Sequence, residues 1–285
     1  MMTGKNSFKE TAMKLTYYGT AAAEGWPGVF CRCKACIKAK ELGGRNIRTR
    51  SQACIDDKLL IDFPADTYLH VLNYGLDLTR IKNLLITHNH MDHFYPAEFW
   101  CRNEGIANDL EPEYEVLYVW GDKAILNGIA NRGECSEKRV QFRELPLLTT
   151  ADVEGYCVTA LPADHDQTSG CRIYVISKDD KTLLYAHDTG FPPAEVWEYF
   201  EANHLYFDFV SIDDCSGLNS GRRGHMGLDA ADEMRQRMLD IGVADSKTIF
   251  CLNHFSHNCL STYDEMQEAA GDRYLISYDG MSVEF

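Results

Sequence analysis

The chain has 285 residues, 45% hydrophobic and 25% charged, ordinary proportions for a globular protein. With 28 basic and 43 acidic residues its formal charge is −15. That argues against a broad nucleic-acid-binding surface, which needs clustered Lys and Arg. A small anionic substrate stays open, because a metal centre sets its own local field. No apolar run approaches the ~18 residues needed to span a bilayer, and residues 1–12 lack the apolar stretch of a secretory signal. The expectation is a cytoplasmic protein without a membrane partner: a short N-terminal extension, 1–12, and one domain, 13–285.

In chain order, Met13 to Gly19 reads as a first strand. The segments 53–56 and 59–62 read as a hairpin turning at Asp57-Lys58. Residues 67–73 read as helical, and Leu84-Leu85-Ile86-Thr87 as a buried central strand. The stretch 96–148 is mixed, with a strand expected at Glu115 to Val119 and a helix capped by Asp122 running to Ala130. Strands follow at 156–161, 171–176 and 182–186. A helix from Pro193 to Asn203 begins with proline in its first turn, where the missing N–H costs nothing. After a strand at 207–212, Leu228, Ala231, Met234 and Met238 share one helical face. Strands at 248–253 and 274–278 complete the chain. Strands and helices alternate with antiparallel hairpins mixed in, the pattern of packed sheets flanked by helices.

Eleven cysteines cannot all pair within the chain. Three of them, Cys31, Cys33 and Cys36, lie within six residues, where mutual disulfides would be strained. In a reducing compartment this cluster reads as a metal knuckle. Three thiolates need a fourth ligand to enclose a zinc, and His257 is the best candidate for it.

The strongest chemical signal is His88-Asn89-His90-Met91-Asp92-His93, directly after a buried strand. His88 and His90, two apart in extended chain, point to the same side and can share one metal. The chain then turns, so that Asp92 and His93 can address a second. A histidine-rich surface loop is the plain alternative.

This segment resembles the hallmark of the metallo-β-lactamase superfamily, whose fold is a four-layer αββα sandwich. The resemblance implies further site residues in order along the chain. His165 would complete the first metal's ligands, Asp188 would bridge the two metals, and His254 would complete the second set. Asp62 would orient a metal-binding histidine from behind. The family usually places a glycine two residues after that acid, whereas here the segment is Asp62-Phe63-Pro64, so the local turn must differ. His187, which departs from the small residue expected before Asp188, should point away from the metals, since adjacent strand residues face opposite ways.

The cysteine knuckle, the segment Gly224-His225-Met226-Gly227-Leu228-Asp229, the pair His254/His257, Asp214-Cys215-Ser216 and the closing Tyr278-Asp279-Gly280-Met281 are similar to the cyclic phosphoribosyl phosphodiesterases of phosphonate catabolism. The quinone-cofactor biosynthesis protein PqqB is a near relation. The resemblance implies two divalent active-site ions, zinc or manganese, one structural zinc, and attack by a metal-bridging hydroxide on a small phosphodiester, cyclic ones included. In that scheme His225 is the general acid and Asp92 belongs to the catalytic metal shell. Arg222 and Arg223 are candidates to clamp a second phosphate, the alternative being two solvated arginines in a Gly-rich loop. A homodimer is compatible with this reading. The rivals are a transfer-RNA 3′-processing nuclease, opposed by the charge and by the lack of a basic Gly-rich arm, a lactone or thioester hydrolase, and a non-catalytic biosynthetic relative.

Overall fold

The computed structural model describes residues 12–126 and 136–285. Two mixed seven-stranded sheets pack face to face. The first runs in the order β14-β1-β2-β3-β4-β5-β6. It comprises β1 (Lys14–Gly19), β2 (Gln52–Ile55), β3 (Leu59–Ile61), β4 (Asn83–Leu85), β5 (Leu117–Gly121), β6 (Val140–Glu144) and β14 (Met281–Glu284). The second runs β13-β12-β11-β10-β9-β8-β7. It comprises β7 (Thr150–Val153), β8 (Tyr156–Pro162), β9 (Arg172–Lys178), β10 (Lys181–Ala186), β11 (Phe209–Asp213), β12 (Ile249–Asn253) and β13 (Leu275–Ile276). In each sheet the antiparallel pairings give way to parallel ones, from β3 to β6 in the first and from β10 to β13 in the second.

Both faces of the central strands are covered, which is why they read as unbroken apolar runs. Leu15, Tyr17, Ile55, Leu59, Ile61 and Leu85 meet Val158, Tyr174, Ile176, Leu183 and Phe209 between the sheets. On the outer side of the first sheet, Leu60, Leu84, Ile86 and Val119 pack with Phe63, Phe94 and Phe99, beneath α2 (Thr67–Tyr74) and a 3₁₀ segment at Pro96–Arg102. On the outer side of the second lie α1 (Lys34–Leu42), α3 (Ala194–Ala202), α4 (Leu228–Asp240) and α5 (Tyr263–Ala270). Met234 and Met238 of α4 and Trp197 and Phe200 of α3 fill that layer. The result is the expected αββα sandwich. No helix among the described residues is long and apolar enough to cross a membrane.

Several expected boundaries move. The β2–β3 turn has positive φ at Asp56 and Asp57, one residue earlier than expected, because short Asp side chains tolerate the left-handed region. The strand expected at 115–119 begins at Leu117, since Pro112 starts a 3₁₀ turn that consumes Glu115. The strand expected at 274–278 pairs only over Leu275–Ile276. β6, β7, β14, α1 and α5 were not expected. Asp122 does cap a helical start, accepting from the Ala124 amide at 2.9 Å, while residues 127–130 of that helix lie outside the described residues.

Candidate metal centre

The site forms along one rim of the sandwich, where the C-terminal ends of parallel strands leave the sheets, the usual ligand-binding edge of such sheets. Asp62 follows β3, the 88–93 segment follows β4, His165 follows β8, Asp188 follows β10, Asp213 ends β11 and His254 follows β12. Asp62, Asp188 and His254 all have positive φ, at 64°, 49° and 67°. For residues other than glycine this conformation costs about 1 kcal/mol or more each and is concentrated at functional sites. Here it turns the chain sharply and aims each side chain into the shared space.

The side chains divide into two groups around Asp188. His88 Nε2 lies 2.9 Å from His90 Nδ1, and His165 Nε2 lies 3.4 Å from the same atom. His88 Nε2 and His165 Nε2 stand 3.9 and 3.6 Å from Asp188 Oδ1. On the other side, His93 Nε2 is 3.1 Å from Asp92 Oδ2 and 2.7 Å from Asp188 Oδ2, which His254 Nε2 approaches at 2.8 Å. The carboxylate thus turns one oxygen to each group. His93 Nε2, His254 Nε2 and Asp188 Oδ2 are buried, and none has a hydrogen-bond partner of acceptable geometry. Buried polar atoms are rarely left unpaired, and three converging ones of these types fit a metal ion. His90 and His165 are only half-buried, so the first group faces solvent while the second is enclosed.

Each inward nitrogen has a partner behind its ring, hydrogen-bonded for His93, His88, His90 and His165 and an ion-pair contact for His254. His93 Nδ1 donates to Asp62 Oδ2 at 2.7 Å, and Asp62 in turn accepts from the Thr87 amide and hydroxyl. His88 Nδ1 meets Thr87 Oγ1 at 3.1 Å, His90 Nε2 meets Asp166 Oδ2 at 3.3 Å, and His165 Nδ1 donates to the Gly224 carbonyl at 3.0 Å. His254 Nδ1 is 3.3 Å from Asp213 Oδ2. Burial alone would pull the pKa values of His93 and His254 down, but Asp188 and its neighbours outweigh it and hold both well above the ordinary value. Metal binding must displace those protons, so metal affinity is expected to fall as pH drops below those raised values, which a titration at several pH values would measure.

Asp213 is a buried acid at the site that sequence reasoning missed. Fully buried, it accepts from the amides of Cys215 and Met226, and its Oδ2 faces both His254 and His225 Nδ1, the latter at 3.0 Å. The available signal was its resemblance to Asp62: an acid closing a buried apolar strand. Asp213→Ala is expected to weaken metal binding by about 10–100-fold, the usual cost of losing such a backing group, which isothermal titration with the metal would read.

His225 stands beside both groups, its ring centroid 4.9 Å from that of His165 and 5.5 Å from that of His254. The two arginines are otherwise engaged. Arg222 forms a two-pronged ion pair with Glu233 and lies over the Phe191 ring. Arg223 pairs with Asp164 Oδ2 at 2.7 Å. Gly190 lets this loop close on the site: a Cβ there would fall 2.5 Å from both the Arg222 carbonyl and Asp164 Oδ2. His187 points away from the cluster into the sandwich, with Nε2 2.7 Å from Ser211 Oγ and the ring beside Asn253.

A second cluster joins the N-terminal loop to the chain beyond β12. Cys33 Sγ and Cys31 Sγ lie 3.4 and 3.8 Å from His257 Nδ1, and the donor atoms of these three residues and Cys36 all lie within 4.8 Å of one another. A tetrahedral zinc, with Zn–S about 2.3 Å and Zn–N about 2.0 Å, spaces its donors roughly 3.5–3.8 Å apart. Glu24 Oε1 sits 3.4 Å from His257 Nε2, leaving Nδ1 for the thiols. The Cys36 amide brings the Cys33 thiol down to about 6, favouring the thiolate, whereas burial pushes Cys36 up to about 11. Gly28 packs closely here: a Cβ would lie 3.1 Å from both His257 and Cys31, so a side chain would press on the cluster.

The αββα sandwich with this rim defines a metal-dependent hydrolase. The sequence matches the beta-lactamase superfamily domain over residues 62–254, and the chain belongs to that family. No curated protein matches the sequence. Among solved structures, a new diphosphatase from the PhnP family superposes with a TM-score of 0.75 at 17% identity, over 96% of this chain and 98% of that one. Zn²⁺-bound PqqB from Methylobacterium extorquens gives 0.69 at 17% identity, over 95% and 100%. Human tRNase Z, short form, gives 0.60 at 16% identity, over 95% and 98%. At these identities the likeness is one of fold.

Proposed function

We propose that this chain is a two-metal phosphoric diester hydrolase acting on a small phosphorylated substrate. The observation that carries the reading is the division of Asp188 between His88/His90/His165 on one oxygen and Asp92/His93/His254 on the other. Two divalent ions held there, zinc or manganese, would lower the pKa of a shared water and offset the charge of a phosphodiester. The chain's own residues do the rest. Asp62, Thr87, Asp166, the Gly224 carbonyl and Asp213 fix the ligand rings, and His225, oriented by Asp213, holds a proton for the departing alkoxide. Arg223, exposed at the mouth, would reach a second phosphate only by leaving Asp164. Turnover of bis(p-nitrophenyl) phosphate with added Mn²⁺ or Zn²⁺ tests the reading. A panel of cyclic and linear phosphodiesters, and a diphosphate in view of the diphosphatase fold relative, then sorts the substrate. Failure on every member with metal bound would return the chain to the lactone, thioester or non-catalytic readings.

The same proposal assigns one structural zinc to Cys31, Cys33, Cys36 and His257. One zinc per chain should survive mild chelation that strips the active site. His257→Ala should lose it and lower the melting temperature, with activity falling only as a consequence. Metal analysis that finds no zinc after mild chelation would refute the assignment.

A further inference from the structure

Behind Asp62 a line of buried polar groups runs across the first sheet, and its donors and acceptors can be assigned one by one. The Pro64 carbonyl is a pure acceptor and takes the Thr67 hydroxyl proton at 2.6 Å. Thr67 Oγ1 must then accept from Gln52 Nε2 at 3.1 Å, and the same amide nitrogen donates to the Asp62 carbonyl at 2.9 Å. This fixes the orientation of the Gln52 amide, because the flipped form would set oxygen against oxygen. Gln52 Oε1 therefore faces His70 and accepts from Nδ1 at 2.6 Å. His70 Nε2 meets Thr49 Oγ1 at 2.7 Å, and Thr49 Oγ1 also lies 2.6 Å from Asp279 Oδ2. Gln52, Asp62, Thr67 and His70 are all buried.

We infer that Gln52 and His70 are positioning residues for the metal centre: together with Thr49 and Asp279 they form one hydrogen-bonded line that locks Asp62 in its left-handed turn behind His93, and the line retains one shared proton. The inference rests on reading the rim as a two-metal site. Asp62 reaches His93 Nδ1 at 2.7 Å and has φ of 64° in a segment, Asp62-Phe63-Pro64, that lacks the glycine usual in the family. Its carbonyl needs a fixed donor, and Gln52 is that donor. The proton follows from counting. Thr49 has one hydroxyl hydrogen, but His70 Nε2 and an ionised Asp279 would both require it. The count closes when Asp279 is a carboxylic acid donating to Thr49 while Thr49 donates to His70.

The surroundings agree with this placement. Burial pushes Asp279 up to about 6 and pulls His70 down to about 4, so below about pH 6 the shared proton rests on the acid and not on the imidazole. Arg48 opposes that shift from the Asp279 side. Asp66, paired with Arg50, faces His70, and the rings of Tyr18 and Tyr74 flank it at 6.2 and 6.3 Å.

Two measurements test the line. In the intact metal-loaded protein, ¹⁵N NMR of His70 should show a neutral ring protonated on Nδ1 at about pH 5, with the Asp279 carboxyl carbon titrating near pH 6 and the His70 Nε2 signal shifting with it as the Thr49 hydrogen is drawn to the carboxylate. A proton on Nε2 would overturn the assignment. Gln52→Met keeps the length and removes the donor. It should weaken retention of one active-site ion by about 10–100-fold and shift the downfield His93 Nδ1–H resonance, while the other ion and the knuckle zinc stay as in the unmodified protein. Equal weakening of all three metals, or no weakening, would reduce Gln52 to a packing residue and refute the inference. If the unmodified protein holds no active-site ions, the two-metal reading fails instead, and the His70 measurement still decides the line. It also decides if Gln52→Met does not fold.

Discussion

Asp188→Ala is expected to take hydrolysis below detection and to strip the active site of metal while the knuckle zinc stays bound. Asp188 is the shared neighbour of the two histidine groups, with Oδ1 toward His88 and His165 and Oδ2 toward His93 and His254. Alanine removes one donor from each group together with the negative charge between them. Five imidazoles would then face two divalent ions with Asp92 as the remaining carboxylate, in a site where charge is poorly screened. The loss should therefore exceed that of any single histidine, which serves one ion. Metal analysis alongside turnover measures it. Wild-type activity with two ions bound would refute the bridging role.

The sequence made the ligands legible because their chemistry constrains local spacing. His88-x-His90-x-Asp92-His93 must come from a single turn after a single strand, and that strand was visible as an apolar run. His165, Asp188 and His254 each follow a strand, but nothing local tells a lone histidine or aspartate from a structural one. They became legible only through their order in a resembled family. Asp213 was passed over although Phe209-Val210-Ser211-Ile212-Asp213 has the form of Leu59-Leu60-Ile61-Asp62. Its role depends on His225 and His254, which the fold brings to it from 12 and 41 residues away. The Gln52–His70 line was illegible for the same reason, since its members reach one another across β2, α2 and the C-terminal turn. The edge strands β6, β7 and β14 escaped because half-exposed strands carry polar residues and weak alternation. α1 was hidden by the cysteines that form its first turn, where Cys33 caps the helix by accepting from the Cys36 amide.

His225→Ala is expected to leave both active-site ions bound and to slow alkyl phosphodiesters by about 10²–10⁴, the usual worth of general acid–base catalysis. Burial alone would lower the pKa of His225, but Asp213, 3.0 Å from Nδ1, more than offsets this and holds it above the ordinary 6.5. The raised value extends upward in pH the range in which the ring keeps its proton and can deliver it to a leaving alkoxide. Activity on alkyl diesters should accordingly fall as pH rises through that raised value, and His225→Ala should lose this alkaline limb altogether. A p-nitrophenyl leaving group departs as a stable anion and needs little protonation, so the variant should retain far more activity on it. The ratio of the two losses is the decisive measurement. Equal losses on both substrates would mean that His225 positions the phosphate or Asp213, and a persisting alkaline limb in the variant would assign that titration to another group.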